Sequence, residues 1–284
     1  MDDELHRIAR RLRDAVEPIA AAVFFAPEAQ ERFEALGLNY FEGYFCSRSA
    51  CLGAAPWQVV AGVFAAFNPA VVEQAVTGGW RKTDPASLVE ARLAAARDQM
   101  RRMVGEPGDD VVKAADILLS LTDDVDVSGR AMYAGLRGLP VPGADDPYGR
   151  LFRAAELVRE HRGDGHIAAW IGHVDSAEIS ALSELWWDIP AGSYIWTRGW
   201  DEAAATAARE RLTARGLLDE AGAATAAGRD LREEIERDTD LSQRQVVTRL
   251  RDRADELFPL IEPVAEALTG PGGYPADRSN LFGT

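Results

Sequence analysis

Apolar residues along this chain recur at every third or fourth position, which is the period of an α-helix. The first such pattern predicts a helix over residues 2–24, with one buried face made of Leu5, Ile8, Leu12, Val16 and Ile19. Residues 85–104 and 109–121 show the same spacing. Asp84-Pro85 is a typical helix start, because Asp caps the first turn and Pro fits the first helical position. The pattern predicts a mainly α-helical protein.

A connector rich in proline and glycine, Leu139–Pro147, interrupts the helical pattern near the middle of the chain. We take it as the boundary between a helical domain over residues 1–146 and a second domain over residues 147–284. The second domain opens with a predicted helix over Tyr148–Arg162.

The densest group of reactive side chains in the sequence stands at the end of this helix. Gly163 and Gly165 indicate that the helix stops there. Asp164 is a suitable N-cap for a further helix that continues to Trp170. The sequence therefore predicts a helix end that presents charged side chains and histidines together.

The chain beyond residue 200 contains a further recognisable order of elements. A predicted helix over Glu202–Arg215 is followed by Gly216, by Leu217-Leu218, which suits a strand, and by Thr225, which caps the next helix. Over residues 167–240 this order resembles the recognition helix, wing and following helix of MarR-type winged-helix proteins. The resemblance implies a degenerate, MarR-like winged-helix C-terminal domain.

The whole chain also resembles an actinobacterial family of two-domain helical proteins whose function is poorly characterised. The resemblance implies a helical N-terminal domain followed by a winged helix, and it supplies no activity. The matching segments are Gly43–Phe45, Leu52-Gly53, Phe67–Pro69, Arg159–His166, Arg198–Trp200 and Arg215–Leu218.

The charge of the protein argues against DNA as a partner. The formal net charge is -15, and residues 201–240 contain eleven acidic side chains and six arginines. A DNA-binding surface needs cations for phosphates and Arg, Lys, Asn or Gln for base edges. The predicted recognition helix instead opens with Ala203–Ala205. We therefore expect no DNA binding, and a MarR-like DNA-binding transcriptional regulator remains the alternative function.

Three interpretations of the cluster around His161, Asp164 and His166 remain open. The first is a structural network of helix caps and salt bridges. The second is a small-molecule site between the two domains. The third is a metal or haem site that also uses His173. Histidine spacings of five and seven do not place ligands one helical turn apart as i, i+4 would, so we predict no metal and no cofactor.

Aromatic residues provide candidate walls for the small-molecule site. Tyr40, Tyr44 and Arg48 share a face if this segment is helical, because they are spaced i, i+4, i+8. That face belongs either to the core or to a pocket. The predicted ligand-binding residues are Tyr40, Tyr44, Arg48, Arg159, Arg162 and Trp170.

We predict that the protein binds a hydrophobic or aromatic small molecule between its domains. It would act as a sequestering or sensing protein, or as a cofactor-independent lyase, cyclase or isomerase of secondary metabolism. In an enzyme, His161, Asp164 and His166 are the catalytic candidates, since a His–Asp pair can serve as a general base. The sequence has no G-x-S-x-G, G-x-G-x-x-G or P-loop motif to indicate a hydrolase, a dinucleotide site or a nucleotide site.

The composition also predicts in which cellular compartment the protein resides. The first residues are charged, and no apolar run reaches the roughly 18 residues that span a bilayer. Cys46 and Cys51 are the two cysteines, and we expect both to be reduced. We expect a cytoplasmic protein with no membrane partner, and the sequence leaves a homodimer open.

Overall fold

The structure is a computed structural model that describes residues 3–276. Within this range the α-helices are α1 Asp3–Ala21, α2 Pro27–Ala35, α3 Tyr40–Ser49, α4 Trp57–Val63, α5 Pro69–Gly79, α6 Pro85–Val104, α7 Asp109–Thr122, α8 Ala131–Arg137, α9 Pro147–Trp170, α10 Ser176–Trp186, α11 Glu202–Ala214, α12 Ala226–Ser242, α13 Arg244–Leu250 and α14 Ala254–Ala267. Short 3-10 helices lie at Ala22–Phe25, Ala50–Leu52, Trp196–Arg198 and Arg251–Arg253. The predicted mainly α-helical class is confirmed.

Side-chain caps define where several helices begin. The Asp84 side chain accepts from the backbone N–H of Ser87, and Pro85 opens α6 as predicted. Asn39 and Glu42 form a reciprocal capping box at the start of α3. Such caps satisfy backbone N–H groups that have no partner within the helix. None of the helices within residues 3–276 combines the length and the apolar character that crossing a membrane requires.

The longest helix, α9, runs without interruption through the glycines that we expected to end it. The predicted stop at Gly163 is therefore wrong. A Cβ atom on Gly165 would lie 2.0 Å from Oγ of Ser242, at the end of α12. Gly165 thus allows α9 and α12 to approach closely, and this packing offsets the cost of about 1 kcal/mol that a glycine carries inside a helix.

Two apolar clusters form the core. The larger cluster takes buried residues from Leu12 to Val158 and again from Val246 to Leu268. The smaller cluster lies between Trp170 and Ile235 and includes the buried faces of α10, α11 and α12. Helix α9 contributes to both clusters and so connects them. The predicted division at residues 146 and 147 stays a prediction, and the larger cluster contains residues on both sides of it.

Helices α11 and α12 stand in the order predicted for the recognition helix and the helix after the wing, and α10 precedes them. We call α10–α12 the helix–turn–helix unit. The expected strand at Leu217-Leu218 is reduced to one antiparallel bridge between Leu218 and Ala224. The Asp219 side chain closes the intervening turn by accepting from the backbone N–H groups of Ala221 and Ala223, both at 2.9 Å. Residues 187–201 connect α10 to α11, which is far longer than the usual turn of about 3–4 residues in this motif.

Candidate functional site

Two adjoining cavities lie where the helix–turn–helix unit meets α1, α3 and α9. The larger has a volume of about 490 Å³ and the smaller about 200 Å³. Arg159, Gly163 and His166 line both cavities. They share one face of α9, because positions three or four apart lie above one another on a helix. The cavity wall is therefore built on a rigid element.

Most of the predicted site residues meet at these cavities. The larger cavity is lined by Tyr44, Arg48, Arg159, Arg162 and His166, among others. The smaller cavity adds Asp164 and Trp170. Two predicted site residues, Tyr40 and His161, line neither cavity.

His161 lies on another side of α9, and this corrects its prediction as a catalytic residue of the site. Its ring packs edge-on against Tyr133, with centroids 5.0 Å apart, and it is 1% exposed. Burial, assisted by the charge of Arg130, lowers the pKa of His161 to about 3. Because each helical residue turns the side chain by about 100°, His161 cannot share the face of Arg159 and Arg162. It is a neutral core residue.

Asp164 performs a capping role at a different helix from the one predicted. Its carboxylate accepts from the backbone N–H of Tyr133 at 2.9 Å and that of Met132 at 3.5 Å, in the first turn of α8. Burial raises the pKa of Asp164 to about 6, although the backbone hydrogen bonds oppose this effect. Within residues 3–276, Asp164 makes no hydrogen bond to His161 or His166. The expected His–Asp pair does not form.

A chain of ion pairs joins α1, α3 and α9 along one wall. Arg48 donates to both carboxylate oxygens of Glu160, at 3.0 and 2.9 Å. Arg159 donates to Glu160 at 2.6 Å and to both oxygens of Glu17 at 2.9 Å. Burial alone would raise the pKa of Glu160, but Arg48 and Arg159 outweigh it and lower the pKa to about 2. These charges stay ionised at neutral pH.

A second ion-pair network joins α9 to α12. Arg162 lies 2.8 Å from Asp240 and 3.1 Å from Glu236. Arg232 donates to Glu236 at 2.7 Å, and its buried Nε and Nη1 have no hydrogen-bond partner within residues 3–276. Burial would raise the pKa of Glu236, but the surrounding cations lower it to about 2.

Arg198 is a cavity residue that our sequence analysis did not identify as functional. Its guanidinium lies 4.7 Å from the ring centroid of Phe67 and 4.1 Å from that of Tyr194. Within residues 3–276 no carboxylate lies at ion-pair distance from it, in contrast to the other arginines of this wall. The backbone there is anchored, because Asn68 donates from its backbone N–H to the Arg198 carbonyl at 2.8 Å. The only indication of this role in the sequence is that Arg198 lies among the aromatic residues of the segment 194–200.

The loop that carries Tyr194 and Arg198 is organised by Glu184, which is fully buried. One oxygen of Glu184 accepts from the backbone N–H groups of Tyr194 and Ile195, both at 2.9 Å. The other accepts from the Gly192 N–H at 3.0 Å and from Arg209 at 2.6 Å. This role was not predicted, because the only indication of it in the sequence is an acidic residue within the largely apolar α10.

His166 is the histidine that faces both cavities. Its Nδ1 lies 2.9 Å from Oγ1 of Thr239 on α12. Burial, followed by the charge of Arg232, lowers the pKa of His166 to about 4. The ring is therefore neutral at pH 7.

The arginines of α11 are directed towards α10. Arg209 pairs with Glu184, Arg211 with Asp175 at 2.6 Å, and Arg215 with Glu178 at 3.1 Å. The exposed positions of α11 are Glu202, Ala203, Thr206, Glu210, Arg211 and Ala214. The solvent face therefore carries acidic and small side chains and one cation, Arg211, which is paired with Asp175.

The third interpretation of the histidine cluster, a metal site, gains no support from geometry. Within residues 3–276, no three His, Cys, Asp or Glu side chains are grouped so that they could hold a metal ion. The absence of a metal and of a cofactor stays a prediction.

No curated protein and no solved structure matches the chain. A family model described as a helix-turn-helix family matches residues 9–275, nearly the whole chain. This agrees with the order of α10, α11 and α12, and the chain therefore belongs to this helix-turn-helix family.

Proposed function

We propose that the protein binds a hydrophobic or aromatic small molecule in the larger cavity. The observation that carries this proposal is the cavity itself, at the junction of the helix–turn–helix unit with the N-terminal helices. Its volume of about 490 Å³ falls in the range of roughly 300–1,000 Å³ that is typical of ligand sites. Phe24, Tyr44, Trp187 and Tyr194 supply aromatic walls.

Two roles are compatible with such a site. In a sensing or sequestering protein, the ligand would stabilise the contact between α9, α12 and the loop that carries Tyr194. In a cofactor-independent lyase, cyclase or isomerase, His166 would be the general base, because its ring is neutral and lines the cavity. We propose no catalytic role for His161 or Asp164, since one lies in the core and the other caps α8.

DNA binding by a MarR-like winged helix is the second candidate, and family membership favours it. The charge distribution opposes it, because the arginines of α11 are paired with acids of α10. The turn between Leu218 and Ala224, which stands at the position of the wing, carries Asp219 and Glu220 and no cation. Phosphate binding needs cations at this surface. We therefore favour the small-molecule role.

The test is a fluorescence titration with 8-anilinonaphthalene-1-sulfonate, an aromatic anion, together with native mass spectrometry for a co-purifying molecule. Ser183 is buried and lines both cavities, so Ser183→Leu fills the site. Thr206→Leu places the same side chain on the exposed face of α11 and is the control. We expect Ser183→Leu to abolish saturable binding and Thr206→Leu to leave it unchanged. Equal binding by both variants would contradict the proposal.

A further inference from the structure

The proton on His166 can be assigned from its neighbour. The hydroxyl of Thr239 donates to the carbonyl of Ile235 at 2.7 Å, and a carbonyl can only accept. A hydroxyl has one proton, so Oγ1 of Thr239 must accept from Nδ1 of His166, 2.9 Å away. Nδ1 therefore carries a proton.

The other ring nitrogen is then a hydrogen-bond acceptor. The charged groups around the ring are Arg162 on its own helix, Arg13 on α1, and Arg232 and Glu236 on α12. Burial and the surplus of cations keep the pKa of His166 at about 4. A neutral ring with its proton on Nδ1 has a lone pair on Nε2. Nε2 has no hydrogen-bond partner within residues 3–276, so it is available to a molecule in the cavity.

The larger cavity is lined by six arginines, and one of them has no carboxylate partner within residues 3–276. Five of its arginines can each be matched with a different carboxylate at ion-pair distance. These pairs are Arg13–Asp14, Arg48–Glu160, Arg159–Glu17, Arg162–Asp240 and Arg232–Glu236. Arg198 is the sixth arginine of this wall, and its guanidinium, which lies over the rings of Phe67 and Tyr194, makes no hydrogen bond or ion pair within residues 3–276.

An anionic group is the natural partner for this site. Guanidinium groups bind carboxylate, sulfonate or phosphate through charge-assisted hydrogen bonds, and these are stronger than neutral ones. Arg232 adds to the positive field, because it is 3% exposed and its Nε and Nη1 donate to nothing within residues 3–276. The protein as a whole has a net charge of -15, so a positive cavity is a local feature and not a consequence of composition.

We propose that the ligand is an aromatic or apolar anion that also carries a hydroxyl or N–H group. The anionic group pairs with Arg198, and the hydroxyl or N–H donates to Nε2 of His166. This assignment rests on the proposed function and specifies the class of ligand. It also gives His166 a defined role in binding, which is to accept a hydrogen bond from the bound hydroxyl or N–H group.

The test is isothermal titration calorimetry with three kinds of naphthalene compound. They are 2-naphthol, 2-naphthoate and the isomers of hydroxy-2-naphthoate whose hydroxyl is on the second ring. We expect the best hydroxynaphthoate to bind about tenfold tighter than either of the others, since one hydrogen bond to a charged or buried group contributes roughly this factor.

Three substitutions at two positions separate the two contacts. Arg198→Met retains an apolar chain between Phe67 and Tyr194 and should weaken naphthoate and hydroxynaphthoate about tenfold, with no effect on naphthol. His166→Asn can still donate to Thr239 but has nothing at the Nε2 position, so it should remove only the advantage of the hydroxyl. His166→Gln can place its amide oxygen there and should restore part of that advantage. Arg229→Met, at an exposed position of α12, is the matched control.

The outcomes distinguish this inference from the proposed function. If neither the anilinonaphthalene sulfonate nor any naphthalene compound binds, the proposed function is wrong and the inference fails with it. If the sulfonate binds in a manner sensitive to Ser183→Leu, the proposed function stands. In that case, failure of hydroxynaphthoates to exceed naphthol, or indifference to Arg198→Met and His166→Asn, overturns only the ligand assignment.

Discussion

Arg48 and Glu160 form a bidentate ion pair that joins α3 to α9 beside the cavity, with N···O distances of 3.0 and 2.9 Å. Their side chains are 13% and 4% exposed. Glu160 also accepts from Arg159, which in turn holds Glu17 of α1. The Glu160 carboxylate therefore links α9 directly to α3 and, through Arg159, to α1. These contacts fix the cavity wall that contains Tyr44 and Arg48.

Loss of the Glu160 charge should destabilise the fold strongly. Glu160→Gln leaves the buried guanidinium of Arg48 without its counter-ion, and breaking a buried pair from one side costs about 3–5 kcal/mol. We expect a fall of this size in the free energy of unfolding, measured by urea denaturation. Glu90→Gln is the control, because that side chain is 69% exposed in its pair with Arg97 and should change stability by less than about 1 kcal/mol.

Stability should decrease as the pH is lowered from about 6.5 towards 4. In the unfolded chain His161 and His166 titrate near 6.5, whereas burial lowers the pKa to about 3 for His161 and about 4 for His166. The unfolded state then binds more protons in this window, so stability is lost as the pH falls. Asp164 acts in the opposite sense, because its pKa is raised to about 6.

The variant His161→Phe tests this account through the slope of stability against pH. We expect the free energy of unfolding of the variant to depend less on pH between 6.5 and 4, by about 1 kcal/mol for each pH unit. A slope equal to that of the parent protein would show that His161 is not buried in its neutral form.

The Glu184 carboxylate should control the order of the loop between α10 and α11. Glu184→Gln replaces an acceptor of three backbone N–H groups and of Arg209 by an amide that accepts through one atom only. We expect faster limited proteolysis within residues 187–201 and a loss of stability of about 3 kcal/mol. Glu202→Gln, at an exposed position of α11, should leave the cleavage rate unchanged.

The sequence predicted elements best where the signal is local. Caps such as Asp84 and Thr225 begin α6 and α12 as expected, because a cap acts on backbone groups two or three residues away. Arg159, Gly163 and His166 share a face of α9 for an equally local reason, since helical period alone decides which side chains of one helix point together.

Tertiary contacts explain what the sequence did not predict. Gly165 looks like a helix stop, yet its role depends on Ser242, more than seventy residues later in the chain. Asp164 looks like an N-cap of its own helix, but it accepts from Tyr133 of α8. Arg198 becomes a candidate binding residue only in the folded protein, where its guanidinium lies over the rings of Phe67 and Tyr194. No local pattern encodes these relationships.

Duplex DNA should not bind to the helix–turn–helix unit. Arg209 and Arg215 pair with Glu184 and Glu178 of α10, and Arg211 pairs with Asp175, the N-cap of α10. Phosphate contacts require free cations. We expect no change in fluorescence anisotropy of a labelled random duplex with protein at micromolar concentration and physiological salt. Salt-sensitive binding that disappears in Arg211→Ala would instead establish the DNA-binding alternative.

Gly165→Ala should destabilise the protein although alanine is the better helix former. The new Cβ would lie 2.0 Å from Oγ and 2.8 Å from Cβ of Ser242. Arg130 holds the same junction, since it donates to the carbonyls of His161 and Ser242, so α9 and α12 cannot separate without losing these hydrogen bonds. We expect a loss of about 1–3 kcal/mol, as for overpacked cores. Gly172→Ala, where a Cβ meets nothing within 4 Å, should show no loss in the same thermal unfolding measurement. If Gly165→Ala were as stable as Gly172→Ala, the close approach of α9 to α12 would be refuted, and with it the position of the cavity wall that His166 and Thr239 share.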